Sequence, residues 1–192
     1  HGYLCERHGR LLKSWLRAEV CTACRSLPAH STHRDCIGLT EEVMKITLIA
    51  VGSLKTPWAK AGCQQYLDRL SIDLIEVSAS KQKDPTKQQE EESASLIKRL
   101  EKIEGKIWVL DERGEALTSD TLSKDLEKVG DIGDSVVFVL GGAYGLSDLV
   151  RKKADRIIRL SDMVLPHELC RVVLLEQIYR SEQITKGTGY HH

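Results

Sequence analysis

The 192-residue sequence has no apolar run approaching the roughly 18 residues that a membrane-spanning helix needs. It has no net charge either, with 28 basic and 28 acidic side chains. No global electrostatic pull therefore draws it to nucleic acid, and only a local basic patch could do so. Beyond residue 43 cysteine is scarce, with only Cys63 and Cys170, as expected of a protein in a reducing, intracellular compartment. Internal repeats and low-complexity tracts are also missing. What remains is 41% apolar and 29% charged residues, the balance of a soluble globular protein long enough to bury one core and carry an appendage.

The first 43 residues differ from the rest. They hold Cys5, Cys21, Cys24 and Cys36 together with His1, His8, His30 and His33, and they lack a periodic apolar pattern. Cys21-x2-Cys24 followed by His30, His33 and Cys36 supplies acceptable zinc ligand types. The gap from Cys24 to His30 is short for a finger and no second Cys-x2-Cys follows, so no metal site is expected. The segment is basic-leaning but not rich in serine, which meets the signature of a plastid transit peptide only by half. Residues 1–43 are expected to be a poorly ordered or non-native extension, and Met44 opens the domain that runs to residue 192.

From Met44 the pattern alternates between strand and helix. "KITLIAVG", "IDLIEVS", "KIWVLDERG", "SVVFVL" and "RIIRLS" read as five strands. Between them lie "PWAKAGCQQYLDRL", a long charged helix capped by Asp84-Pro85 and stopped at Gly105, and "TSDTLSKDLEKVG" capped by Thr118 or Ser119. "GLSDLVRKKA" and "PHELCRVVLLEQIYRSEQI" supply the last two helices. Such regular alternation implies an α/β fold, a mainly parallel sheet with helices on both faces.

The fourth strand runs into "VLGGAYGL". A dinucleotide fingerprint would need G-x-G-x-x-G after the first strand, and a Walker loop would need Gly-Lys-Ser/Thr at its end. Gly141-Gly142-x-x-Gly145 meets neither pattern and, alone, is equally well a tight strand-to-helix turn. Three strand ends, "VLDERG", "VLGGAYG" and "RLSDMVLPHE", converge where open α/β sheets bind ligands. They offer small residues, backbone groups and apolar walls, without lysine or arginine in the glycine stretch. That suits an adenosine-type ligand without phosphates, such as S-adenosylmethionine.

Residues 44–192 resemble the SPOUT-class methyltransferases that modify N3 of a pseudouridine in bacterial 23S ribosomal RNA. The resemblance rests on "MKITLIAVG", "LDERG", "FVLGGAYGL", "RLSDMVLPHELCRVVLLEQIYR" and the terminal "YHH". It implies a C-terminal trefoil knot, which periodicity could not indicate. It also implies a homodimer acting on ribosomal RNA in the assembled ribosome, a cytoplasmic location (with the plastid stroma as the alternative) and no membrane association. The cofactor, S-adenosylmethionine, would be held by Leu110, Gly141 and the loop Leu160, Ser161, Asp162, Met163, Val164 and Leu165. Glycine at 141 would let the main chain approach the adenosine, and the leucines would wall the adenine.

Methylation of an imide nitrogen also requires loss of its proton, by a base or by stabilisation of the anion. The expected groups are His167, Arg171, Tyr190 and His191, with Glu176 and Arg180 as further candidates. Glu176 with Arg180 reads first as an intrahelical ion pair, and Arg151, Lys152 and Lys153 read first as a solvated helix end. Gly189 stands where the family often has proline, which loosens the tail. Two other readings compete: a non-catalytic ribosome-associated protein of the same fold, and a nucleotide-dependent oxidoreductase.

Overall fold

Among the described residues the alternating pattern is realised as five strands and five helices. The computed structural model describes residues 44–190, and the readings made on residues 1–43 and on His191 lie outside the described residues. In chain order the elements are β1 (Ile46–Val51), α1 (Pro57–Leu67), β2 (Ile72–Val77), α2 (Pro85–Leu100) and β3 (Lys106–Ala116). They are followed by α3 (Ser119–Asp131), β4 (Val136–Leu140), α4 (Asp148–Arg151), β5 (Arg156–Arg159) and α5 (His167–Thr185).

All strand pairs are parallel, in the order β2-β1-β4-β3-β5. Interior strands β1 and β4 are buried at every residue. A strand covered on both faces reads as a continuous apolar run, which is why these two were plain in the sequence. Successive residues feed two separate cores. On one face α1, α3 and α5 cover Leu48, Ala50, Trp108, Phe138 and Leu140. On the other, α2 and α4 cover Ile49, Val51, Val109, Val137 and Val139. Each buried Leu or Phe contributes about 1.5–3 kcal/mol, so truncating Phe138 or Leu175 would cost a large part of the domain's stability.

Helix starts follow local chemistry. The Asp84 carboxylate accepts from Lys87 N at 2.9 Å with Pro85 at the first helical position, and Thr118, not Ser119, accepts from Thr121 N at 3.1 Å.

Three boundaries differ from the sequence expectation. Helix α2 ends at Leu100, short of Gly105, and α4 is a single turn of four residues. Strand β3 continues to Ala116 through "DERGE", because β5 pairs with both of its halves across a register shift between Leu110 and Glu115. Gly114 makes that pairing possible. A Cβ there would lie 2.5–2.7 Å from the backbone of Ile157 and Ile158. The threading implied by the family resemblance is a property of the chain path that strand pairing alone does not trace.

Candidate active site

Register puts the site together. Glu76, Ala50, Leu140, Leu110 and Ile158 form one row across the sheet, one residue from the end of β1 and at the last paired position of β4. Parallel partners in one row project to the same face. For Ala50, Leu140, Leu110 and Ile158 that is the face covered by α5. Glu76, on edge strand β2, shares the row and meets α5 as well.

There it binds Arg171. The Arg171 side chain is fully buried, yet its guanidinium donates to Glu76 Oε1 at 2.5 Å and to the Gly52 carbonyl at 2.8 Å. Its Nη2 also lies 3.3 Å from His167 Nε2, one helical turn away. A guanidinium has no lone pair to offer, so Nε2 of His167 is the acceptor and Nδ1 carries the proton. That Nδ1 is buried without a hydrogen-bond partner among the described residues, with the Val51 and Gly141 backbone near the ring; Arg171 Nε is likewise buried and without a partner. Burial, and then the positive charge of Arg171, hold the His167 imidazole below its usual titration range. His167 is therefore neutral at pH 7.

Glu168 fixes the loop that follows β1. Its carboxylate accepts from the Lys55 amide, the Thr56 amide and the Thr56 hydroxyl. The Thr56 hydroxyl and these amides hold its titration below the usual carboxylate range. The start of α5 is thus tied to the carboxyl end of β1, with Pro166 at the N-cap fixing the approach.

The residues expected at the cofactor fall into two groups. Leu110 and Gly141 are buried at the sheet edge, and Leu160 and Leu165 are partly covered. A Cβ on Gly141 would lie 2.8 Å from Leu146 Cγ, on the α2 face, so the demand for glycine comes from the turn itself. The loop after β5 is held by Ser161 Oγ, which accepts from Met163 N at 2.9 Å, and by Asp162 paired with Arg159 at 2.7 Å. Met163 and Val164 are 76% and 89% exposed. A cavity of about 480 Å³ lined by Leu117, Thr118, Leu122, Ile158, Leu160 and Gln177 opens beside this loop, a size ordinary for a small-molecule site.

The other candidates lie further along α5. Glu176 and Arg180 form the intrahelical ion pair, at 2.5 Å and 2.9 Å, and Arg180 Nη1 also donates to the Tyr190 carbonyl at 3.3 Å. Tyr190 packs edge-on against Tyr179 at 5.0 Å and under the Arg180 guanidinium at 5.0 Å. Arg171 precedes Arg180 by roughly 13 Å of helix axis, at about 1.5 Å per residue. The tail and the Arg171–His167 pair of one chain are therefore apart. Arg151 is not free for a ligand either: it pairs with Asp111 at 2.8 Å and Asp148 at 2.7 Å.

Sequence reasoning missed Glu76 and the inward residues of α2. Glu76 reads as an outward position of an alternating strand, and its partner lies 95 positions away. A carboxylate one residue before the end of β2 was the available signal.

Comparison with known proteins places the chain in a family. Residues 44–191 match the family model described as "Predicted SPOUT methyltransferase". The ribosomal RNA large subunit methyltransferase H of Geobacter sp. (strain M21) is 39% identical over 154 residues, covering 78% of this chain and 99% of the relative. Its namesake from Acetivibrio thermocellus is 40% identical over 160 residues, covering 77% and 99%. The crystal structure of a probable methyltransferase from Bordetella pertussis Tohama I shares the fold with a TM-score of 0.50 at 14% identity, over 72% of this chain and 95% of that one. With three quarters of its length matched to the family and relatives near 40% identity covered almost end to end, the chain belongs to the SPOUT methyltransferase family.

Proposed function

We propose that residues 44–192 transfer the methyl group of S-adenosylmethionine to N3 of a pseudouridine in 23S ribosomal RNA, on the assembled ribosome, as a homodimer in the cytoplasm. The observation that carries this reading is the buried Arg171 guanidinium, held by Glu76 and Gly52 beside the glycine loop of a SPOUT methyltransferase. Relatives named for methylation of large-subunit ribosomal RNA support the substrate.

The residues present fit the cofactor. Leu110, Leu160 and Leu165 offer apolar surface, Gly141 and Gly142 bring backbone to the sheet edge, and two buried polar atoms, His167 Nδ1 and Arg171 Nε, are unsatisfied by protein. When bound, S-adenosylmethionine supplies an electrophilic methyl group for in-line displacement. The protein's share is placement and charge. Because Arg171 engages Nε2 of neutral His167, that ring has no free lone pair for a substrate proton. The imide proton then passes to solvent water, and the charge of Arg171, oriented by His167, favours the resulting anion.

The tail acts in trans. Tyr190 and His191 of one chain complete the partner's site, since Tyr190 docks on its own α5 well away from Arg171. Exposed Met163 and Val164 suit a covered position in the dimer. Lys55, Lys81 and Lys83 stand exposed on the loops after β1 and β2, with no ion pair among the described residues, and supply a local basic surface for RNA phosphate on a chain of zero net charge. No helix among the described residues is long and apolar enough to cross a membrane.

Parallel calorimetric titrations with S-adenosylmethionine and NAD test the reading. Saturable binding of S-adenosylmethionine alone is the expected outcome, and binding of NAD alone would overturn it.

A further inference from the structure

Helix α2 has an inward face of two kinds. Its second half buries Leu96 and Leu100 in the core, as an amphipathic helix should. Its first half instead turns polar groups inward: Gln89, Glu92 and Ser93, spaced so that they share one face. Glu92 and Ser93 are each only 2% exposed. Burying polar side chains is unfavourable unless they find partners, so those partners show what this half of the helix is for.

For Gln89 and Ser93 they are the glycine loop, against which Glu92 packs without a hydrogen bond. Gln89 Nε2 donates to the carbonyl of Tyr144 at 2.7 Å and to that of Leu146 at 3.3 Å. Ser93 Oγ accepts from the Ser147 amide at 3.2 Å. Glu92 Oε1 accepts from the Ser80 amide and from Gln88, both at 3.0 Å, while Oε2 has no hydrogen bond and abuts Gly142. A Cβ at Gly142 would overlap Oε2 and lie 3.0 Å from Glu92 Cδ and 3.3 Å from Val51 Cγ1. The outer side of the loop, Ala143, Tyr144 and Gly145, stands in water. Within the loop only the Gly145 amide to Gly142 carbonyl bond, at 3.1 Å, closes the turn.

We propose that Gln89 and Ser93 are positioning residues that hold residues 142–147 in the shape that receives the cofactor, with Glu92 forming the floor beneath Gly142. The proposal rests on the reading that this loop meets S-adenosylmethionine. A loop with three glycines in five residues loses much backbone freedom on ordering, and a binding site that must order it on each encounter loses that free energy from affinity. Helix α2 removes the cost in advance. Gly142 is then a glycine demanded by Glu92 from below, not by the ligand from above.

Amide hydrogen exchange on the cofactor-free full chain, combined with cofactor titration, tests this. In Gln89→Ala the amides of residues 143–147 should exchange about five- to tenfold faster, the net weight of the one short bond to Tyr144 with the longer one to Leu146 adding little, while amides of β1 and β4 stay protected as before. The Kd and KM for S-adenosylmethionine should rise by a similar factor, with a smaller loss in kcat at saturation. Gln89→Lys, which keeps a donor for the two carbonyls, should recover most of the affinity, and Gln89→Glu should not. Gly142→Ala should weaken binding, and Glu92→Ala in the same chain should restore part of it by vacating the colliding carboxylate. Unchanged exchange in Gln89→Ala, or a double variant no better than Gly142→Ala alone, would overturn the proposal. Faster loop exchange with unchanged affinity would instead sink the placement of the cofactor on this loop. A wild-type chain that binds no S-adenosylmethionine would sink the proposed function while leaving the exchange result standing.

Discussion

Arg171 on α5, with a side chain of 0% exposure, donates to Glu76 on edge strand β2, whose side chain is 39% exposed. One end of this pair is in the core and the other reaches water. Removing the two partners should therefore have unequal effects.

Glu76→Gln leaves the buried guanidinium without its counter-charge. Loss of about 1–2 kcal/mol of stability is expected, the low end for a charge-assisted buried bond because Glu76 is partly solvated. Urea unfolding measures it, and methyl transfer should fall more than cofactor affinity. A midpoint equal to wild type would show that Gly52 and His167 suffice to hold Arg171.

Acid should weaken the fold through His167. Its imidazole titrates below the usual range because of burial and the Arg171 charge, so the unfolded chain binds the proton more readily than the folded one. The stability this contributes is complete above about pH 6.5 and is lost as the pH falls through the lower folded value. Urea midpoints measured from pH 7.5 down to 5 should decline, and His167→Gln should flatten that decline. An identical slope in the variant would remove His167 as its source. Glu168, also depressed, acts only in the lower carboxylate range and does not confuse this window.

Much of this was legible beforehand, for a physical reason. Strands buried on both faces, such as "ITLIAV" and "VVFVL", announce themselves as apolar runs, and Asp84-Pro85 and Thr118 announce helix starts by their own chemistry. Partnerships across the fold do not announce themselves. "DERGE" looks like a turn, yet it is strand because β5 returns to pair with it. The charged helix α2 looks like a solvated face, yet its Gln89, Glu92 and Ser93 reach the glycine loop. His167 and Arg171 were predictable as neighbours on one helix, whereas Glu76 came only with the register of the sheet.

A chain beginning at Met44 should keep cofactor binding, dimerisation and activity. The family match spans residues 44–191. Activity and sedimentation of the shortened protein check this. Stoichiometric zinc in the full chain, together with loss of activity on truncation, would contradict it.

Deleting Tyr190, His191 and His192 should leave cofactor affinity within about threefold and cut methyl transfer about 100-fold or more, as expected for a lost positioning group. Stability should fall by no more than about 1–2 kcal/mol, since the described tail contacts are one aromatic edge, one cation over a ring and one exposed hydrogen bond from Arg180 to the Tyr190 carbonyl. Mixed dimers pairing the deleted chain with an Arg171→Ala chain should regain activity if each tail serves the partner's site. Mixed dimers as inactive as either parent would return the tail to its own chain.

The most direct test of the central claim is methyl transfer from labelled S-adenosylmethionine to ribosomes lacking the modification, followed by mapping of the labelled nucleotide. One methyl group per large subunit, on N3 of a pseudouridine in 23S ribosomal RNA, is the predicted result. A protein that binds S-adenosylmethionine yet leaves ribosomes unlabelled, or that places the methyl group on another atom, would contradict it.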